Sequence, residues 1–446
     1  MDIDKAYLRD NLYLPKMYVN GPALIRGLTY EVGDEALCLA RETETHVIVP
    51  RNFIPRAELN DYAFDVVDES QREYTKIDFK SSIKWRSDKQ ELAHSYLSKA
   101  HSGIFNLNPG RGKTVHALKR IEELGHPALI VVTTTSLAEQ WIARIKDPNI
   151  NLTFPGKIGF IGDGKFDWKH GICIAMIQSL ANKVKNGEVT EEFKNWFGSV
   201  YFDEGHHLGA RVFSTTADVC YGRRICLTAT PDRVDGLECI LKYHMGDIIY
   251  SDLTWEQTPK IEFNRIHTEI KTHKKMPVPT IMTKVAEDIE SNEEKLRRLK
   301  VDVARGRKII AVSNRLEQLN WFHSQLPGSV LITADTNKRD REKLMRGAQV
   351  SLVIAKLGVE AIDVDILDCL HLLNIMGADK TSRAGKTVYL GNNFLQLVGR
   401  IMRVVQDKPE PEVVIHDNVE VEVAHNLAVQ LRRFLNQNGF EYTDTE

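Results

Sequence analysis

The run Asn108-Pro109-Gly110-Arg111-Gly112-Lys113-Thr114 follows an apolar segment, 103–107, and leads into an amphipathic one, 115–124. A strand that stops at a glycine-rich turn and re-enters as a helix is a phosphate cradle. Glycines let backbone N–H groups close around an anion, and the helix N-terminus favours negative charge. Gly110, Arg111 and Gly112 are the loop candidates. Lys113 is placed to reach β- and γ-phosphates, and Thr114 to hold Mg²⁺. The full pattern asks for glycine where Leu107 stands, so the match is incomplete. The competing explanation is an ordinary glycine turn at a strand–helix junction. Two similar runs lack the context and read as loops: Gly162-Asp163-Gly164-Lys165 has no Ser or Thr opening a helix, and Gly385-Lys386-Thr387 has its upstream glycine, Gly377, too far away.

Working outward, apolar strands alternate with amphipathic helices. Strands are expected at 103–107, 128–133, 172–177, 200–203 and 225–228. A helix over 115–124 should stop at Gly125, with Pro127 just beyond. Another should start at Ser136, with Glu139 three residues on as a capping box. Strands with two apolar faces joined by helices imply a parallel α/β sheet. A second series follows at 308–312, 330–333, 352–355, 369–374 and 413–416, after a basic stretch (Lys271, Lys274, Lys275) and a helix near 285–305. The first 75 residues read instead as short strands at 28–32, 36–40 and 46–49, with a turn at Asn20-Gly21-Pro22 and a polar connection over 42–44. The expected architecture is α/β: a small β-rich N-terminal domain (1–78) and two tandem parallel-sheet lobes (79–255 and 256–446).

Bulk properties bound the function. A chain of 446 residues is long for one core. Its 42% hydrophobic and 27% charged residues suit an ordinary globular protein, and no apolar run approaches a membrane span. The start of the chain lacks the basic-then-apolar pattern of a secretory signal. With a net charge of −2, any nucleic-acid partner must meet local basic patches. The six cysteines form no C-x-x-C pair, which points to reduced thiols in a cytoplasmic setting (a host cytoplasm if the chain is phage-encoded) rather than to disulfides or zinc.

Three further motifs carry chemistry. Asp203-Glu204-Gly205-His206 ends the strand at 200–203. Asp203 is placed to assist Mg²⁺ and Glu204 to act as general base; a solvated acidic turn is the bland alternative. Leu227-Thr228-Ala229-Thr230-Pro231 ends the next strand, where hydroxyls can couple a nucleotide site to a neighbouring lobe; by itself it reads as a threonine-rich turn. Gln396-Leu397-Val398-Gly399-Arg400-Ile401-Met402-Arg403 sets Arg400 and Arg403 three apart, expected on one helix face, as two guanidiniums suited to a polyphosphate. By itself that is a surface basic pair.

Taken in order across two α/β lobes, the phosphate loop, DEGH, TATP and QLVGRIMR resemble superfamily-two helicases, whose lobes are RecA-like. More narrowly they resemble the XPB- and UvsW-type branch. Leu137-Ala138-Glu139-Gln140-Trp141 is similar to its LxxQW segment. Ile161-Gly162-Asp163-Gly164-Lys165 with Ile174-Ala175-Met176-Ile177-Gln178-Ser179-Leu180 is similar to its IGxGK … IATYQSL run. Thr230-Pro231-Asp232-Arg233-Val234-Asp235-Gly236 is similar to TPxRxDG. The resemblance covers roughly residues 83–405. It implies that Arg86 and Gln90 read adenine and that Asp363, in Glu360-Ala361-Ile362-Asp363, faces the ribose or the arginines. Ala361 stands there in place of the usual glycine. Gly205 replaces a commoner alanine or cysteine, a change expected to be harmless. The resemblance further implies that His206, Thr228, Thr230 and Gln396 couple the sites. Thr133, Thr134, Gln178, Ser179, Ser313 and Asn314 would touch the nucleic-acid backbone.

The implied activity is an ATP- and Mg²⁺-dependent DNA helicase or translocase, with nucleotide expected between the lobes and Arg400 and Arg403 completing the site on closure. The compact length and β-rich start resemble phage UvsW-type helicases, which implies branched or forked DNA as partner, with single-stranded DNA as a further candidate. The N-terminal domain is either a DNA-binding accessory or packing for lobe one. Rival readings are a duplex translocase, an RNA helicase, or a non-catalytic ATP-gated DNA-binding clamp. Intact Lys113, Glu204 and Arg400 argue against the last.

Overall fold

The computed structural model describes the chain apart from residues 33, 206–209, 230–237, 256, 274–275, 361, 363, 377–378, 384–385, 404, 406 and 446, and apart from the side chains at 210, 338–339, 359–360, 379–383, 386–390 and 392. The chain divides into two compact units, Met1–Leu253 and Thr254–Glu446.

The first unit is built on an eight-stranded sheet. Its order is Lys165–Asp167, Ile158–Gly162, Ile172–Met176, Ala128–Val132, Ser199–Asp203, Arg223–Thr228, Ser102–Leu107 and Ile248–Asp252. Every pairing is parallel except the hairpin at one edge. Alternate residues of each strand face opposite sides, and both sides are apolar. Phe105, Ile130, Tyr201 and Ile225 meet Leu118, Ile121 and Trp141 on one side. Ile104, Val131, Phe202 and Cys226 meet Leu180, Phe193, Phe213 and Leu241 on the other. That two-sided burial is why these strands read as continuous apolar runs.

The hairpin sharpens the sequence reading. Gly162-Asp163-Gly164-Lys165 is a loop whose form is a two-residue turn between Ile158–Gly162 and Lys165–Asp167. Asp163 and Gly164 take φ of 49° and 77°, as an Asp-Gly hairpin turn requires. Helix starts also moved. Thr134, not Ser136, caps Thr135–Ile145, its side chain accepting from the Leu137 N–H at 3.3 Å. Ser136 lies within the helix.

The unit also contains the β-rich start, a five-stranded sheet ordered Arg41–Glu42, His46–Val49, Leu12–Pro15, Lys5–Leu8 and Asp65–Asp68. Asn20 opens a helix, Gly21–Gly27, where a bare turn was expected. Its side chain caps the Ala23 N–H, and Pro22 sits in the first turn where its missing N–H costs nothing. This sheet is bonded to the larger one through buried polar groups. Asp10 pairs with Lys194 at 2.6 Å, and the Arg51 guanidinium donates to the Gly222 carbonyl at 2.6 Å. Arg224 donates to the carbonyls of Asp10 and Cys220.

The second unit holds a seven-stranded parallel sheet ordered Val330–Ile332, Val350–Ile354, Ile309–Ser313, Cys369–Leu372, Glu412–Asn418, Lys260–Ile266 and Tyr442–Thr445. The helix expected near 285–305 is two helices, Val278–Glu287 and Ile289–Ala304. Asp288 ends the first and caps the second by accepting from the Ser291 N–H at 2.7 Å. Among the described residues, no helix is long and apolar enough to cross a membrane, and all six cysteines are unbridged.

Candidate active site

The site is assembled at the carboxyl ends of the first unit's strands. Ser102–Leu107 delivers the phosphate loop, and Lys113–Leu124 begins at Lys113 with Gly112 as its N-cap. Gly110 and Gly112 have φ of 82° and 87°, a left-handed backbone that L side chains rarely adopt. A Cβ on Gly112 would sit 3.1 Å from the Gln90 amide nitrogen. Gln90 is thereby seated against the loop. Its amide oxygen accepts from the Arg86 N–H at 3.0 Å, and its nitrogen donates to the Arg111 carbonyl at 3.5 Å. The Arg86 side chain itself is exposed, and Thr114 lies half-buried in the helix's first turn.

Two strands away, roughly 10 Å across the sheet, Ser199–Asp203 ends at the acidic pair. Glu204 has φ of 51°, unusual for a non-glycine residue and the kind of backbone cost that persists where surrounding structure imposes it. Its N–H bonds the Leu227 carbonyl of the neighbouring strand at 2.9 Å. This turns its side chain towards the phosphate loop: Lys113 Nζ lies 3.4 Å from Glu204 Oε1 and donates to the Leu107 carbonyl at 3.1 Å. Gly205 fits its place closely, because a Cβ there would stand 3.0 Å from the buried Cys226 Sγ.

Asp203 is buried, and the indole N–H of Trp141 donates to its Oδ2 at 2.8 Å. Burial, then the neighbouring Glu204 charge, push the Asp203 carboxyl up to about 6, while Lys113 and Trp141 pull the other way. A buried carboxylate pressed towards neutrality beside a second one is relieved by a cation. With the glycine cradle and Lys113, this donor set fits a magnesium–nucleotide complex. Sequence reasoning quoted Trp141 within a motif but assigned it no role. Asn106 was missed entirely. With its amide turned so that both ends are satisfied, Asn106 accepts from Ser251 Oγ at 3.0 Å and donates to the carbonyls of Thr228 and Ala229 at 3.2 and 3.1 Å, tying the phosphate-loop strand to the buried end of Arg223–Thr228.

The proposed nucleic-acid contacts in this unit share that edge. Thr133 and Thr134 follow Ala128–Val132, while Gln178 and Ser179 open the helix after Ile172–Met176, and Val132 and Met176 are register partners. Gln178 is exposed; the other three are half-buried.

Gln396, Arg400, Ser313 and Asn314 belong to the second unit. Ser313 is fully buried and already engaged: it donates to Gln318 at 2.6 Å and accepts from the Arg315 N–H at 3.0 Å, whereas Asn314 is exposed. Gln396 is half-buried on the helix Asn392–Ile401, where Arg400 donates to the Ile362 carbonyl at 2.6 Å. Arg403 corrects the expectation of one shared helix face. The helix stops at Ile401, and Lys408 Nζ bonds the carbonyls of Ile401 and Arg403 at 2.8 and 2.9 Å, holding the chain in a non-helical exit. His206, Thr230 and Asp363 lie outside the described residues, as does Ala361.

The family model "Type III restriction enzyme, res subunit" matches residues 59–233, a span that contains both the phosphate loop and the acidic pair. A probable helicase of Escherichia phage T5, D10, is 28% identical over 324 residues, covering 70% of this chain and 66% of the relative. The DNA 3'-5' translocase XPB2 of Sulfurisphaera tokodaii is 31% identical over 225 residues, 49% of this chain and 48% of the relative. By these matches the chain is similar to the helicases of superfamily two. That superfamily is one of ATP-dependent enzymes. In fold, the chain is similar to S. cerevisiae Dbp5 bound to RNA and ADP BeF3, with a TM-score of 0.56 over 80% of this chain and 89% of that one, at 12% identity. That likeness shows the fold: both parallel sheets are RecA-like lobes. The chain spans less than two thirds of the length of these two curated superfamily-two relatives.

Proposed function

We propose that the chain is an ATP-dependent DNA motor that remodels branched DNA in the manner of UvsW-type helicases, in recombination, repair or replication of a phage genome. The observation that carries the motor reading is the juxtaposition of Lys113, Glu204 and the Trp141-held Asp203 on one sheet edge. Lys113, Thr114 and Asp203 would hold the nucleotide phosphates and Mg²⁺, which supplies charge neutralisation on the transferred phosphoryl group. Glu204 takes the proton from the attacking water. Its Oε1 lies 3.4 Å from Lys113 Nζ, which places it against the phosphate loop. Gln90, bonded to the loop, reads the base. Arg400 and Arg403 complete the charge on the phosphates, and Asp363 orients them or the ribose; His206, Thr228, Thr230 and Gln396 pass the nucleotide state to the DNA contacts. Thr133, Thr134, Gln178, Ser179 and Asn314 touch the DNA backbone, which carries no base code, so binding is sequence-tolerant and salt-sensitive.

DNA is favoured as the track because the Sulfurisphaera relative is described as a DNA translocase. The test is ATP hydrolysis with no nucleic acid, single-stranded DNA, duplex DNA, a four-way junction and RNA, with Lys113→Ala as control. Branched DNA should stimulate most. Equal stimulation by plain duplex would make the chain a duplex translocase, stimulation by RNA alone would make it an RNA remodeller, and DNA binding without hydrolysis would leave an ATP-gated clamp.

A further inference from the structure

The amino ends of the same strands carry a second cluster, opposite the nucleotide edge and about 15 Å from it along strands of five and six residues. Ser199 and Arg223 open neighbouring strands and are register partners. Tyr201 lies two residues along from Ser199, so it shares that face. Arg120 comes from the helix Lys113–Leu124, and His126 from just beyond it. Tyr74 arrives from the segment after the N-terminal sheet, its ring 5.3 Å from that of His126. Arg223 is acted on by Arg120, Tyr201 and Tyr74, and His126 by Arg223 and Arg120, so these six side chains share one site.

Two features distinguish it from packing. The first is charge. Arg120 acts on Arg223, Arg223 on Arg56 and Arg56 on Arg51, and Arg51 also faces Arg224, whose charge is countered by Asp218 and Asp10. Asp68 pairs with Arg56 and Glu123 with Arg120, at 3.3 Å for the latter. Among the described residues, Arg51 bonds the Gly222 carbonyl and the His101 ring alone, and no carboxylate is among the charges acting on Arg223. Two positive charges are left over. The second feature is unmade hydrogen bonds. Among the described residues, Nε of Arg120 and of Arg223 and the Tyr74 hydroxyl are buried without a hydrogen-bond partner, while the Ser199 and Tyr201 hydroxyls have only each other. Ser199 and Tyr201 are fully buried and His126 nearly so. Buried polar groups are almost always satisfied, and here the orphans are mostly donors facing a net positive site.

We propose that this cluster binds a small free oxyanion of the phosphate type. A tetrahedral dianion balances two charges and offers oxygens in every direction from which these donors come. A nucleic-acid phosphate suits it poorly, because the innermost donors are fully buried and a polymer cannot follow them in. Half-buried Tyr74 and Arg223 form the rim. Because Tyr74 belongs to the segment joining the N-terminal sheet to the larger one, a bound anion holds the two sheets together.

The test is thermal unfolding titrated with inorganic phosphate against chloride at matched ionic strength, on the full chain and on Arg223→Gln, Tyr74→Phe and Lys113→Ala. Phosphate should raise the unfolding temperature of the wild type and of Lys113→Ala, with affinity about tenfold weaker in Arg223→Gln and ATPase activity unchanged in that variant. A shift lost in Lys113→Ala but kept in Arg223→Gln places phosphate on the phosphate loop alone and overturns the proposal. So does an equal shift with chloride, or a wild type that ignores phosphate while Arg223→Gln loses DNA binding. If Arg223→Gln does not fold, Tyr74→Phe decides: weaker phosphate binding supports the site, and unchanged binding overturns it.

Discussion

Trp141 and Asp203, 62 residues apart in the chain, are joined by an indole-to-carboxylate hydrogen bond of 2.8 Å inside the first unit's core. Both side chains are buried, so the bond is not traded against water and sets which way Asp203 points. Trp141→Phe keeps an aromatic ring there and removes the donor. A hydrogen bond to a charged group is worth about 1.5–3 kcal/mol. The Mg²⁺ concentration for half-maximal ATPase should therefore rise about tenfold or more. A Mg²⁺ titration that superimposes on the wild type would show that the bond serves packing alone.

Glu204 and Lys113 should fail differently. Glu204→Gln should lower the ATPase rate by a factor on the order of 10²–10⁴ while nucleotide still binds. Lys113→Ala should lose binding itself. Fluorescent-nucleotide titration beside steady-state turnover separates them, and wild-type hydrolysis by Glu204→Gln would remove the residue from the chemistry.

Asp10 anchors the N-terminal sheet. Burial pushes its carboxyl up, but Lys194 and Arg224 outweigh burial and hold it below the ordinary value of 3.8. A carboxyl lowered on folding stabilises fully above its unfolded value, and the contribution is lost as pH falls through the folded one. Asp10→Asn removes the buried carboxylate that faces Lys194 and Arg224, a loss of about 3 kcal/mol. Urea unfolding should record that loss in full at pH 7 and a shrinking difference below pH 3.8. A deficit independent of pH would rule out the charge as its source.

Lys295 makes the opposite case. It is fully buried, its ammonium has no hydrogen-bond partner among the described residues, and burial pulls it down to about 7. Between that value and 10.5 the unfolded chain binds the extra proton, so stability rises with pH across this window. Lys295→Met keeps the stem and removes the charge. It should stabilise the second unit by a few kcal/mol at neutral pH, with the advantage shrinking towards pH 10. A destabilised variant at pH 7 would mean that Lys295 is held by something worth more than its burial costs.

Local chemistry explains which parts were legible in the sequence. The phosphate loop could be read because Gly110 and Gly112 must take positive φ, and Gly125 must end the helix, whatever surrounds them. The central strands could be read because burial on both faces leaves unbroken apolar runs. The strands Ile248–Asp252, at a sheet edge, and Lys260–Ile266, next to one, were missed because one side of each is exposed or polar, which blurs the signal. Helix ends moved by a residue or two for the same reason: Ser136 and Thr134 are both competent caps, and only packing selects between them. Arg403 was placed on a helix because a three-residue spacing cannot foresee Lys408 bonding the last carbonyls.

The sequence alone determined a glycine-cradled lysine, an acidic pair at a strand end and two α/β series, because backbone conformation and apolar periodicity are short-range. Only the tertiary structure decided that Lys113 stands beside Glu204, that Trp141 holds Asp203 and that Arg223 converges with Tyr74, because these depend on strand order. Strand order is set by long-range pairing and burial, which no single segment of the chain encodes.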